Sequence, residues 1–90
     1  MKKTIITVVG KDTVGIIARV CTYLAENQIN ILDISQTIMQ DLFTMIMLVD
    51  LDKTKIAFDT IADGLDRLAV EIGVTIRIQH EDIFQSMHRI

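Results

Sequence analysis

The stretch Ile5-Ile6-Thr7-Val8-Val9-Gly10-Lys11-Asp12-Thr13-Val14-Gly15-Ile16-Ile17 changes its hydrophobic period in the middle. Residues 5–9 are β-branched and apolar on both alternating faces, as in a buried strand. After Gly15, the residues Ile16, Ile17, Val20, Cys21 and Leu24 fall on one face of a helix. Two glycines at a strand-to-helix junction let the chain turn tightly and approach another group closely. The helix start also presents unpaired N–H groups and a partial positive charge, to which a small anionic or zwitterionic molecule can bind. The same residues equally describe a plain turn capped by Asp12 or Thr13.

Outward from this junction the period keeps switching. Residues 14–27 read as a helix, which Asn27 can close in the left-handed conformation. Residues 29–40 return to a period of two, with Leu32, Ile34 and Ile38 on one face and Asp33, Ser35 and Thr37 on the other. Gln40-Asp41-Leu42 is a short turn. Residues 43–51 form a strand that is apolar on both faces. Thr54 is a capping candidate for a second amphipathic helix over 55–72, carrying Ile61, Leu65, Leu68 and Ile72 on one side, and Gly73 stops it. Val74, Ile76 and Ile78 alternate with Thr75, Arg77 and Gln79 in a fourth strand. Residues 81–90 read as a short helix with Ile83, Phe84, Met87 and Ile90 on one side.

The order β-α-β-β-α-β predicts an α+β, ferredoxin-like sandwich: an antiparallel four-stranded sheet with two helices on one face, plus the short C-terminal helix. Residues 1–80 make the domain and 81–90 the extension. In this topology strands one and three are central, which matches their two-sided apolar pattern. Strands two and four, the clean alternators, are edges. The centre of the helix-free face then needs a cover, either the C-terminal helix or a second copy of the chain.

Composition narrows the function. The chain has 90 residues, half of them apolar, and a net charge of −3. Its mean hydropathy of +0.40 is high for so small a domain and points to apolar surface covered by a partner chain. The acidic balance argues against nucleic acid and anionic membrane as partners. No apolar run approaches the roughly 18 residues of a membrane span, and the basic start is followed by too short an apolar stretch for a secretory signal, so a cytoplasmic protein is expected. Cys21 is the single cysteine and lies on the apolar helix face as a buried thiol.

Catalytic chemistry has little to stand on, and no enzyme is expected. There is no nucleophile elbow, no second cysteine, and both histidines, His80 and His88, lie near the end. His80, Glu81, Asp82 and His88 are metal-ligand types without a zinc spacing, so neither a metal nor another cofactor is expected. Gly10 and Gly15 fit neither a P-loop nor a dinucleotide fingerprint. Phe43 alone supplies no base-stacking platform for RNA. Asn30, which opens strand two, is singled out as a polar amide able to hydrogen-bond a ligand near the first loop, or else as a simple turn residue.

From about Lys3 to Gln79 the chain resembles the ACT domain, and most closely the small stand-alone bacterial ACT proteins and the ACT domains of glycine-cleavage regulators. The resemblance is carried by the strand, by Gly10-Lys11-Asp12-Thr13-Val14-Gly15-Ile16 with its helix, and by Asn30-Ile31-Leu32-Asp33-Ile34-Ser35-Gln36. Thr13 stands where the family usually has a basic residue, and Val14 where it has proline. The resemblance implies a non-enzymatic regulatory module, a homodimer that binds a small amino acid or similar effector between its subunits. The implied ligand-binding residues are Gly10, Asp12, Thr13, Val14, Gly15, Asn30 and Ile31. The alternative is a ligand-free protein–protein interaction module acting as an adaptor. In either case the regulated protein is unknown.

Overall fold

The computed structural model describes residues 3–11 and 14–80. β1 (Lys3–Lys11) sits between β3 (Leu42–Asp50) and β4 (Val74–His80), and β2 (Asn30–Met39) lies outside β3. The sheet order is therefore β2-β3-β1-β4, and every pairing is antiparallel. The two-sided apolar strands are central and the alternating ones are edges, as their patterns predict. α1 (Ile16–Glu26) and α2 (Phe58–Ile72) cross over between strands and cover one face. The expected C-terminal helix falls outside the described residues.

The ladder register explains the core. Ile6 pairs with Met47 and Ile78, and Val8 with Met45 and Ile76. These rows face the helices and meet Ile16, Val20 and Leu24 of α1 and Ile61, Leu65 and Leu68 of α2 in one buried cluster. Fully burying an aliphatic side chain stabilises a fold by about 1.5–3 kcal/mol, so this cluster supplies most of the driving force. Thr4 continues the same face one row further, and its buried hydroxyl has no hydrogen-bond partner among the described residues. Beside it, His80 stacks on Phe58 with ring centroids 4.5 Å apart.

Several local details differ from the sequence pattern. β1 runs on through Gly10 to Lys11, so Gly10 belongs to the sheet and not to the loop. A Cβ on Gly10 would lie 2.7 Å from Val74 Cγ1, so a close strand approach demands this glycine. α1 ends at Glu26, and Gln28, not Asn27, takes the left-handed conformation. Asn27 instead turns its side-chain amide back to donate to the Tyr23 carbonyl at 2.8 Å. α2 begins after Ala57, and Thr54 Oγ1 accepts from the Ile56 amide in the preceding turn instead of capping the helix. In β2 a bulge between Ile31 and Asp33 makes Leu32 an extra residue. Ile31 therefore shares the helix-side face with Ile34 and Ile38, a place the plain alternation gives to Leu32. Gly73 closes α2 at φ 75°, as expected.

The helices touch at one tight point. Tyr23 of α1 lies over Gly64 of α2 and donates its hydroxyl to the Ile61 carbonyl at 3.1 Å. Burial raises the Tyr23 pKa, partly opposed by Arg67. Arg19 and Glu71 form an exposed ion pair nearby, of the kind that contributes little. A Cβ at Gly64 would run into the Tyr23 hydroxyl and ring. Alanine normally favours a helix interior by about 1 kcal/mol over glycine. Here the clash outweighs that gain, and Gly64→Ala is expected to lower stability by about 1–3 kcal/mol. Urea unfolding checks this; a variant as stable as the parent would show that the tyrosine is not held in place.

Candidate functional site

The junction that opens the sequence is built by backbone conformation. Gly15 is the N-cap of α1 with φ 92° and ψ 0°, and no side chain caps the helix among the described residues. Nothing lies within 4 Å of where a Gly15 Cβ would stand. Left-handed geometry, not crowding, therefore calls for glycine. The first helical bond runs from the Arg19 amide to the Gly15 carbonyl at 2.9 Å. The amides of Ile16, Ile17 and Ala18 precede it and have no carbonyl partner within the helix. Val14 beside them is fully exposed. Asp12 and Thr13 lie outside the described residues.

A groove of about 410 Å³ runs along this helix start. Gly15, Ile16 and Ile17 form one wall, Gln36 and Ile38 of β2 the other, and Phe43 of β3 the floor. Its size falls in the lower part of the range of small-molecule sites, about 300–1,000 Å³. Gln36 is the single polar side chain among these lining residues. A second hollow of about 390 Å³ at the same end of the sheet is lined by Gly10, Lys11, Met39, Gln40, Asp41 and Leu42. Sequence reasoning named Gly10, Val14 and Gly15 but passed over Gln36, Ile38 and Phe43. The signal for Gln36 was present: it interrupts the otherwise apolar alternation Ile34-x-Gln36-x-Ile38.

Asn30 is not near this groove in its own chain. It pairs with Asp50, which pairs with Lys3, at one end of the sheet. Lys11, Leu42 and Met39 form the last row at the other end. At about 3.3 Å per residue the two ends of β2 are roughly 30 Å apart. The expected proximity of Asn30 to the first loop is thus corrected by the ladder. Asn30 also falls in the row facing away from the helices, whereas Ile31 lies on the groove's face.

β2 itself is exposed throughout 32–39. Leu32 and Ile34 each keep 39% of their surface, Ile38 53% and Met39 69%. Apart from Asp33 the strand carries no charge, and it has no proline. Beyond the bulge at Leu32 and the charge of Asp33, residues 34–39 carry none of the usual devices that keep a sheet edge from pairing with another chain.

No group of three or more metal-ligating side chains occurs among the described residues. Glu81, Asp82 and His88 lie outside them. Burial raises the pKa of the half-buried Cys21 thiol, away from the reactive thiolate. No described helix is long and apolar enough to cross a membrane.

Comparison with known proteins decides the family. The ACT domain family matches residues 2–79. The chain belongs to the ACT domain family. A UPF0237 protein of Clostridium acetobutylicum is 59% identical over 88 residues, covering 98% of this chain and 99% of that protein. An ACT domain protein from Streptococcus pneumoniae superposes with a TM-score of 0.81 at 42% identity, over 92% of this chain and 93% of that one. The ligand-free regulatory subunit of aspartate kinase from Thermus thermophilus gives a TM-score of 0.68 at 25% identity, over 87% of this chain and 50% of that one. ACT domains form a regulatory family whose related members bind amino acids.

The ACT domain's first turn yields a direct check. Gly15→Ala is expected to cost about 1–2 kcal/mol, all of it from forcing a side chain into the left-handed region. Denaturant unfolding should show a lower midpoint with an unchanged slope. An undiminished midpoint would mean that the turn has another accessible conformation.

Proposed function

We propose that this ACT domain is a non-enzymatic regulatory module that works as a homodimer and binds a small amino acid, or a similar effector, where two copies meet. The observation that carries this reading is the placement of the groove and of Asn30 at opposite ends of the same bare edge strand. Two β2 edges paired antiparallel about a two-fold axis exchange their ends. The Asn30 end of one chain then lies beside the groove end of the other. One pairing joins the exposed edges and completes two equivalent sites.

In this arrangement the effector's carboxylate meets the amides at the start of α1, where the helix dipole favours negative charge. Its ammonium meets Asp12 and the side-chain oxygen of Gln36, the polar side chain on the groove's face, while Asn30 of the partner subunit marks the adjoining strand end. Ile31 of the partner subunit closes the apolar side together with Ile17 and Ile38. The likeness to an aspartate kinase regulatory subunit supports a regulatory rather than a catalytic role.

The second reading, an adaptor without ligand, draws on Thr13 and Val14 in the first loop and on the scarcity of polar side chains in the groove. Calorimetry with a panel of amino acids separates the two. Effector binding predicts a saturable signal with one site per chain, and Gln36→Ala weakening it at least tenfold, about 1.4 kcal/mol. Absence of heat up to millimolar concentrations, with the dimer intact, would favour the adaptor.

A further inference from the structure

The exposed edge strand carries the same residue pattern in both directions from Gln36. Ile34-Ser35-Gln36-Thr37-Ile38 has isoleucine at each end, a hydroxyl residue at each inner position and a carboxamide in the middle. The regular part of the strand is also bounded symmetrically. On one side lie the bulge at Leu32 and then Asp33, whose carboxylate accepts from the Ile34 amide at 2.9 Å. On the other side β2 ends at Met39, and Gln40 turns left-handed with φ 57°. The middle residue of the regular stretch 33–39 is again Gln36.

We propose, resting on the β2 pairing of the proposed function, that the two-fold axis of that pair passes through Gln36. Directly opposed residues of antiparallel strands share a face and interact as pairs. Centred on Gln36, the helix-side face sets Ile34 against Ile38 of the partner subunit, and Gln36 against Gln36 of the partner subunit. Two facing carboxamides can each donate to and accept from the other. The opposite face sets Ser35 against Thr37 of the partner subunit, and Asp33 against Met39 of the partner subunit, so no like charges meet. Other registers match less well. An axis at Ser35 or Thr37 puts Gln36 against an isoleucine, and it draws Leu32 of the bulge or the left-handed Gln40 into the ladder. An axis at Ile34 or Ile38 puts Gln36 against those same irregular residues. The Gln36 register also serves the groove, whose β2 wall is Gln36 and Ile38. Ile34 of the partner subunit extends that wall. The bulge brings Ile31 to the row next to Asp33, so Ile31 of the partner subunit falls diagonal to Ile38, at about 7–8 Å.

Disulfide cross-linking reads this register. In a Cys21→Ala background, the full chain carries Ile34→Cys, Ser35→Cys, Gln36→Cys or Thr37→Cys, and each variant is oxidised under identical conditions. With the axis at Gln36, the two copies of that residue lie about 4.5–5.5 Å apart between Cα atoms. The two copies of Ser35, and those of Thr37, are then about 8 Å apart and those of Ile34 about 14 Å, beyond the roughly 7 Å that a disulfide can bridge. The expected result is rapid covalent dimer from Gln36→Cys, with each of the other variants alone roughly tenfold slower or worse. A mixture of Ser35→Cys and Thr37→Cys is expected to give a mixed dimer, and it decides the matter if Gln36→Cys does not fold. Fastest linking by Ser35→Cys, Thr37→Cys or Ile34→Cys alone would overturn the Gln36 axis while leaving the β2 pairing in place. No linking by any variant or mixture would overturn both, whether sedimentation shows a monomer or a dimer built on another surface.

Discussion

A four-stranded antiparallel sheet has two faces and two edges, and two helices cover only one face. The remaining architecture of this chain follows from that shortfall. The helix side is satisfied by the rows of Ile6, Val8, Met45 and Met47 against Val20, Leu24, Ile61 and Leu65. The other face keeps the apolar centre of Ile5, Val9, Ile46 and Leu48, and the β2 edge keeps backbone groups and isoleucines in water. A chain of 90 residues has little stability to spare. The β2 edge is the surface on which the proposed pairing with a second copy rests.

Pairing an edge with another subunit creates a place that neither copy possesses alone. The groove at the start of α1 is walled by the edge strand β2, and the Asn30 end of β2 is distant from it. A regulatory site shared between subunits links occupancy to assembly: a ligand that binds only the paired form stabilises the pair by mass action.

The fold was legible because its signals are periodic. Strands apolar on both faces had to be central, strands apolar on one face had to be edges, and Gly73 marked a helix end that it does form. The errors arose where a one-residue effect decides the outcome. Period alone does not reveal the bulge at Leu32, which moves Ile31 onto the helix-side face. Gly10 looked like a loop residue because glycine is rare inside strands, yet the approach of Val74 requires it there. Asn27 and Gln28 are both polar, and only the backbone shows which one turns left-handed.

The candidate site was legible in its chemistry but not in its geometry. Gly15 and the helix start could be named from spacing, whereas Gln36 and Phe43 join them only through the pairing of β2 with β3. Asn30 seemed close to the first loop because a crossover returns the chain toward its start. The ladder places it instead beside Asp50 and Lys3, and under the proposed pairing a second chain brings that strand end back toward the groove. Amide hydrogen exchange along β2 tests that central claim most directly. The account predicts that the outward-pointing amides of residues 32–38 are protected at high protein concentration and lose protection on dilution. Free exchange of those amides at every concentration would contradict it.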